Sequence, residues 1–226
     1  MINSLLDEAV NLLKKQPWEW AICGGMGIDL FLGYESRRHG DIDILAYWKD
    51  RDDIIRSMWA EGYQVYEMLG GGKVHHITDI QEQRYEKRNI FAMLEECELV
   101  HLTPTGEKDV YDNHFSHEGL KKLNYVEFLF NDRDEDWFYY ARNKAVKREL
   151  SKAILYCDAQ GVRIPYLAPE LLCLYKSTDT DREGYGQDFE LAYAQMNQEQ
   201  RDWLREALLT MNPEGHKWID KGRQKA

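Results

Sequence analysis

The sequence predicts an α+β fold, with a mixed, mostly antiparallel sheet in residues 1–160 and a helical subdomain in residues 161–226. Two observations carry this prediction. The first part of the chain is rich in short aromatic or alternating runs of strand length, whereas every segment after Pro169 has helical spacing. The boundary near residue 160 is soft, because no flexible linker, internal repeat or low-complexity segment marks it.

The first fifty residues predict helices and strands in alternation. "SLLDEAVNLLKK" has apolar residues at helical spacing with Ser4 as N-cap, and Pro17 ends this helix. "WEWAIC" is short, aromatic and typical of a buried strand. "MGIDLFLG" then predicts a short helix closed by Gly33, and "DIDILAYW" a second strand.

The remaining elements follow from the same patterns. "KDRDDIIRSMWAEGY" has helical spacing, and the three glycines at 70–72 predict a hairpin between "YQVYEML" and the strand after them. Later strand candidates are "ELVHLT", "DVYDN", "NYVEFLF" and "GVRIPYL". Carboxyl-terminal helices are predicted at "PELLCLYKS", "QDFELAYAQM", "EQRDWLREALLTM" and "PEGHKWIDKG".

Composition limits the function classes. The chain has 226 residues and a net charge of −11, which argues against extended binding to nucleic acid and tolerates a cationic small substrate. No apolar stretch approaches the ~20 residues that cross a bilayer, and the amino terminus has no signal-peptide core, so we expect a cytoplasmic protein with no membrane partner. The four cysteines lie far apart and predict neither disulfides nor a zinc ribbon.

Asp41 and Asp43 stand one residue apart in the predicted second strand. Because strand side chains alternate, both carboxylates point to one face, and Ile42 and Ile44 point to the core. Magnesium commonly takes one or two protein carboxylates together with substrate phosphates, so the pair predicts a site for that ion. Aspartates at strand ends also serve solubility, and this simpler explanation stays open for the pair taken alone.

A glycine pair, Gly24 and Gly25, precedes these aspartates between a strand and a helix. Bare backbone amides at a helix amino terminus bind anions, although most such pairs are only tight turns. The order strand, glycine pair, helix and strand with two aspartates is more specific than either motif. It indicates that phosphate and metal are bound together.

Glu127 is the candidate third carboxylate for a two-metal displacement, since it interrupts the apolar strand "NYVEFLF". A solvent-facing position in an alternating strand explains the same residue equally well.

Residues 23–44, "CGGMGIDLFLGYESRRHGDIDI", resemble the signature of the DNA polymerase beta-like nucleotidyltransferases, and in particular the aminoglycoside and lincosamide nucleotidyltransferase branch. Weaker similarity continues in "YVEFLFNDRDEDWFYYARN" and in "IPYLAPELLCLYKS" with "QDFELA". The resemblance implies a nucleotidyltransferase core and a metal-dependent transfer of a nucleoside monophosphate onto a hydroxyl, with release of pyrophosphate. ATP or another nucleoside triphosphate is the implied donor, with AMP expected to be transferred, and two Mg²⁺ ions are expected.

The resemblance also implies roles for single residues. Gly24 and Gly25 would face the triphosphate, and Asp41 and Asp43 would hold magnesium. Glu127 would ligate the second ion or act as the base. Further nucleotide contacts are expected from Arg37, His39, Arg142 and Lys176.

Two departures from the family pattern are visible. The polymerase-like Gly-Ser is Gly-Gly here, which removes a serine contact to phosphate. Ala141–Arg142 leaves one arginine where two are common. Asp29 matches the helix aspartate of the family and is expected to pair with a basic group.

The acceptor is expected to be a small molecule with a hydroxyl, such as an aminoglycoside or lincosamide-like antibiotic. "YGQDFELAYAQM" either lines its pocket with Tyr185, Asp188 and Glu190 or has a solvated face. Two alternatives stay open: an antitoxin-like nucleotidyltransferase acting on a protein or tRNA, and a non-catalytic nucleotide-binding protein. The apolar stripe of "EQRDWLREALLTM" fits core packing or the interface of a homodimer.

Two histidine pairs, His75 with His76 and His114 with His117, are expected at the surface, since neither pair offers the three or four ligands that zinc requires.

Overall fold

The computed structural model describes residues 4–82, 88–116, 119–159 and 161–219. The chain forms two compact units, each assembled from separate stretches of sequence. We call residues 2–21 and 38–132 the sheet unit, and residues 22–37 and 133–226 with Met1 the helical unit. The predicted boundary near residue 160 lies inside the helical unit.

The helices of the described chain are α1 Ser4–Leu13, α2 Gly24–Leu32, α3 Arg51–Ala60, α4 Leu150–Ala153, α5 Pro169–Lys176, α6 Tyr185–Gln195 and α7 Gln198–Met211. The strands are β1 Ala21–Ile22, β2 Asp43–Tyr47, β3 Gln64–Gly70, β4 Lys73–Ile77, β5 Ile90–Met93, β6 Val100–Pro104, β7 Val110–Phe115, β8 Tyr125–Arg133, β9 Trp137–Tyr139, β10 Lys147–Glu149, β11 Ile154–Ala159 and β12 Val162–Leu167. None of the helices in the described residues is long and apolar enough to cross a membrane.

The sheet unit is built on strands in the order β2-β8-β5-β3-β4-β7-β6. The pair β2–β8 is parallel, and the other neighbours in this series are antiparallel. This arrangement confirms the predicted mixed, mostly antiparallel α+β class. The hairpin predicted around the glycines at 70–72 is also present, joining β3 to β4.

One face of this sheet carries the main core of the sheet unit. The inward residues of β2 and β8, such as Ile44 and Phe128, are fully buried. Trp18 packs edge-on against Phe128 with ring centroids 5.8 Å apart. The helix α1 buries six apolar residues at the predicted helical spacing, and its Glu8 accepts a hydrogen bond from the Leu123 amide at 2.8 Å.

The helical unit combines short strand ladders with α2, α5, α6 and α7. The strands β11 and β12 are antiparallel, and Ile22 of β1 pairs parallel with Tyr166 of β12. α2 and α5 approach so closely that a Cβ on Gly27 would lie 2.9 Å from a methyl carbon of Leu172. A side chain at position 27 would therefore force the Leu172 side chain to move.

The element boundaries differ from prediction in several places. The first strand has only two residues, and β2 begins at Asp43, so Asp41 precedes the strand. β5 and β9–β11 were not predicted. β5 is a buried run of four residues, and such runs are ambiguous from periodicity alone, while β9 and β10 have only three residues each. The helix predicted at "PEGHKWIDKG" is wrong for residues 213–216, which form a turn and an irregular stretch. Residues 217–219 are helical, and residues 220–222 lie outside the described residues.

Candidate active site

Three carboxylates meet where β2 and β8 run side by side in the sheet unit. In this parallel pair Asp43 is the Cα partner of Glu127, and the Glu127 amide donates to the Ile42 carbonyl at 3.2 Å. Asp41, Asp43 and Glu127 are all half-buried, while Ile42 and Ile44 are fully buried. The register of β8 therefore places Glu127 beside the Asp-x-Asp pair, although 84 positions separate Asp43 from Glu127 in the chain.

Tyr125 gives independent support for this grouping of negative charge. It is fully buried, and its hydroxyl donates to Glu127 Oε2 at 3.3 Å. Burial raises the pKa of Tyr125 well above its usual value, and the charges of Glu127, Asp43 and Asp41 raise it further, in that order. All three carboxylates are therefore close enough to act on one hydroxyl group.

The donor set fits a hard divalent cation. Carboxylate oxygens are the ligands that magnesium prefers, and that ion usually completes its shell with water and substrate phosphates. In the part of the chain that the structure describes, no group of three or more His, Cys, Asp and Glu side chains is arranged so that it could hold a metal ion. A magnesium ion at Asp41, Asp43 and Glu127 would therefore need further ligands, such as phosphate oxygens and water.

Gly24 and Gly25 open helix α2 in the helical unit. Cys23 is the N-cap residue in extended conformation, and Gly24 has a φ of 62°. A side chain at position 24 would be strained at this angle, so glycine is required by the backbone as well as by the predicted contact to phosphate. The first amides of α2 have the arrangement that binds anions at helix amino termini.

A buried ion cluster in the helical unit collects three of the predicted site residues. Asp188 of α6 is fully buried and receives two hydrogen bonds from Arg37, from Nε and Nη2, each at 2.9 Å. The Nζ atom of Lys176, at the end of α5, lies 2.9 Å from Asp188 Oδ2, the oxygen that also accepts from Arg37 Nη2. Burial opposes ionisation of Asp188, but the hydrogen bond from Arg37 and the charge of Lys176 outweigh it and lower its pKa.

Tyr185 lies next to this cluster, since its ring centroid is 4.2 Å from Lys176 Nζ. Arg142 is exposed; it donates to the Tyr175 carbonyl at 2.9 Å and also contacts the Thr178 hydroxyl. Glu190 is exposed as well. The structure thus brings together Arg37, Lys176, Asp188 and Tyr185, and it places Arg142 on a separate set of partners.

The two remaining residues of the signature, His39 and Asp29, belong to different units. His39 belongs to the sheet unit and is buried, with 5% of its surface exposed. In the helical unit Asp29 accepts hydrogen bonds from the Ser36 amide at 3.0 Å and the Ser36 hydroxyl at 2.5 Å. These bonds hold the turn that follows α2.

A buried polar cluster on the sheet includes His75, which was expected at the surface. His75 is not at the surface: it is 3% exposed, and its Nδ1 lies 2.7 Å from Glu67 Oε1. The register of β3 and β4 makes these two residues direct partners, and Arg51 reaches the other Glu67 oxygen at 3.3 Å. The expectation was wrong because the inward-facing partner, Glu67, could not be assigned without the strand register. His114 is exposed as expected, and His117 lies outside the described residues.

The chain is similar to known adenylyltransferases in one segment of its sequence and in its fold. Residues 5–74 match the family described as Aminoglycoside-2''-adenylyltransferase. The crystal structure of the lincosamide antibiotic adenylyltransferase LnuA, with lincomycin bound, is similar at 14% identity and a TM-score of 0.54, covering 87% of this chain and 99% of that chain. The solution structure of the antibiotic-resistance factor ANT(2'')-Ia is similar at 13% identity and a TM-score of 0.52, covering 98% of this chain and 96% of that chain. A search of curated proteins finds no significant match.

The two solved structures show the fold, and the family match falls on the segment that carries the glycine pair and both aspartates. Together they show a fold similar to that of known nucleotidyltransferases and a local sequence similarity to an adenylyltransferase family. The resemblance seen in the sequence, to the nucleotidyltransferase superfamily and its aminoglycoside and lincosamide branch, is confirmed. The prediction of an enzyme is confirmed with it.

Proposed function

We propose that this enzyme transfers AMP from ATP to a hydroxyl of an aminoglycoside or a lincosamide-like antibiotic. The observation that carries the proposal is the in-register pairing of Asp43 with Glu127 beside Asp41. Both aspartates, but not Glu127, lie within residues 5–74, which match an aminoglycoside adenylyltransferase family. The negative net charge of −11 favours a cationic acceptor over an anionic one.

The nucleotide is bound by groups from several elements in this proposal. Gly24 and Gly25 present the backbone amides of α2 to the triphosphate. Arg37, His39, Arg142 and Lys176 are the proposed further nucleotide contacts, and Tyr185 and Asp188 the proposed acceptor side. Asp41 and Asp43 would hold magnesium, which would neutralise charge on the phosphate oxygens, and Glu127 would either ligate a second ion or act as the base.

The transfer exchanges one phosphorus–oxygen bond for another. The acceptor oxygen forms a bond to the α-phosphorus as the bond to the leaving pyrophosphate breaks, and the hydroxyl proton must pass to a base. We propose Glu127 as that base, since its carboxylate lies beside the aspartates.

The function is tested by measuring pyrophosphate release. ATP, GTP, CTP and UTP are each offered with Mg²⁺ to the full chain, across a panel of aminoglycosides and lincosamides, with Asp41→Asn/Asp43→Asn as the matched control. We expect release that requires one acceptor class, prefers ATP and vanishes in the control. Binding of the nucleotide without release for any acceptor would contradict the proposal.

The role of Glu127 is tested separately by Glu127→Gln. We expect nucleotide affinity to be retained and transfer to fall by roughly 100-fold or more, the scale of a lost general base. Unchanged turnover would remove Glu127 from the reaction, whereas loss of Mg²⁺-dependent nucleotide binding would make it a ligand and not the base.

A further inference from the structure

A row of aromatic rings crosses the sheet unit and ends at the carboxylates. His76, Tyr66, Phe91 and Tyr125, which we call the aromatic row, lie on neighbouring strands β4, β3, β5 and β8. Their successive ring centroids are 4.6, 5.1 and 5.3 Å apart, with interplanar angles of 20°, 13° and 28°. Phe91 is the Cα partner of Glu127, so the row lies on the same sheet face as that carboxylate.

Packing of this kind leaves the last ring, that of Tyr125, little freedom. Phe91 stacks on the ring, Phe115 meets it edge-on at 6.0 Å, and the side chain is fully buried. Tyr125 and Glu127 are two residues apart on one strand and therefore share a face. The fixed ring directs its hydroxyl to Glu127 Oε2 at 3.3 Å.

The hydroxyl of Tyr125 is a constant hydrogen-bond donor. An ordinary phenol is protonated at neutral pH, so the hydroxyl donates to Oε2 of Glu127. At 3.3 Å the bond is longer than the common O–H···O spacing, so the packing of the ring, more than the strength of the bond, fixes the direction from which the hydroxyl meets the carboxylate.

We propose that Tyr125 is a positioning residue for nucleotidyl transfer: its hydroxyl, fixed by the aromatic row, sets the orientation of the Glu127 carboxylate beside Asp43. The inference rests on the proposed function for its kinetic consequence, but the contact that carries it is independent of the acceptor. Groups that orient metal-binding or catalytic side chains typically contribute 10- to 100-fold to affinity or activity.

The test is Tyr125→Phe in the full chain, which removes only the hydroxyl. We expect kcat for transfer to fall about 10- to 100-fold, with the KM for ATP changing by less than about threefold. Tyr63→Phe is the matched control, because Tyr63 is also a buried tyrosine of the sheet unit and its hydroxyl donates to the Leu123 carbonyl at 2.8 Å. This control loses a comparable hydrogen bond and is expected to keep the wild-type kcat.

A double-mutant cycle with Glu127→Gln separates positioning from a general structural effect. Since the hydroxyl acts through Glu127, Tyr125→Phe should have little further effect on kcat in the Glu127→Gln background. An equal effect in both backgrounds, or an unchanged kcat in Tyr125→Phe, would overturn the proposal.

A second readout distinguishes this proposal from the proposed function. MgATP should raise the melting temperature of Tyr125→Phe and Tyr63→Phe as much as that of the wild type, because the Tyr125 hydroxyl acts on Glu127 and not on nucleotide binding. A wild-type protein that binds MgATP but transfers nothing would contradict the proposed function, whereas wild-type transfer with an unchanged kcat in Tyr125→Phe would overturn the positioning role alone. A wild-type protein with neither property would overturn both.

Discussion

At the scale of single residues, Asp188 is held by two cations. Arg37 and Lys176 both bind its fully buried carboxylate, so we expect Asp188 to fix these two side chains in place. Removing one member of a buried ion cluster leaves uncompensated charge, which typically costs 3–5 kcal/mol. Asp188→Asn should therefore lower the free energy of unfolding at pH 7 by about 3–5 kcal/mol.

The pH dependence of that loss follows from the direction of the pKa shift. Folding lowers the pKa of the Asp188 carboxyl. The stability that the ionised carboxylate contributes is therefore fully present above pH 3.8, the ordinary pKa of the group, and is lost as pH falls through the lower folded-state pKa. Urea unfolding of wild type and Asp188→Asn should thus differ most near neutral pH and converge in strong acid. Asp181→Asn, which breaks an exposed pair with Lys217, is the control and should change nothing measurable. A constant difference down to pH 2 would contradict this explanation.

Sequence reasoning found some of these residues and missed others for identifiable reasons. Asp41 and Asp43 could be identified from the sequence because they form a compact motif. Tyr125 was not identified, since a buried tyrosine in an apolar strand is indistinguishable from ordinary core until the stacking of the aromatic row is known. The Asp188 cluster joins positions 151 residues apart, a pairing that no local pattern encodes.

At the scale of elements, helix α2 has glycines in left-handed conformation at both ends. Gly24 begins the helix with a φ of 62°, and Gly33 ends it with a φ of 81°. Alanine at either position should cost about 1–2 kcal/mol of stability, because a Cβ is strained in this region. Only Gly24, at the amino-terminal end of α2, is predicted to contact phosphate.

The pair therefore makes a matched test of the anion site. Gly24→Ala should weaken MgATP binding by about 10-fold or more, because the strain of a Cβ at this φ displaces the first amides of α2 and weakens their hydrogen bonds to the charged phosphate. Gly33→Ala should lose similar stability and keep wild-type affinity. Isothermal titration calorimetry checks both, and equal affinities in the two variants would exclude a phosphate contact at Gly24.

Element type was more predictable than element pairing. The hairpin at the glycines 70–72 and the helices after Pro169 followed from turn chemistry and periodicity. The parallel register that brings Glu127 to Asp43 did not, since strand pairing between distant segments depends on the packing of the whole sheet. Glu127 therefore remained ambiguous between solvent and site until the register was known.

At the scale of the whole molecule, the chain is divided differently from the sequence-based expectation. The sequence indicates a break near residue 160, where strands give way to helices. Each compact unit instead combines stretches that are distant in the sequence. Residues 22–37 group with the carboxyl-terminal part, and residues 2–21 group with the sheet. A composition shift shows where element types change, but it cannot show which distant segments pack together.

The central claim is that the chain adenylylates a small-molecule hydroxyl, and the mass of the acceptor tests it most directly. The full chain is incubated with ATP, Mg²⁺ and the acceptor that supports pyrophosphate release, and both acceptor and protein are analysed by mass spectrometry. We predict that the acceptor gains one adenylyl group and that Asp41→Asn/Asp43→Asn yields none. An unmodified acceptor, with the adenylyl group found on a protein or with no transfer at all, would contradict the claim.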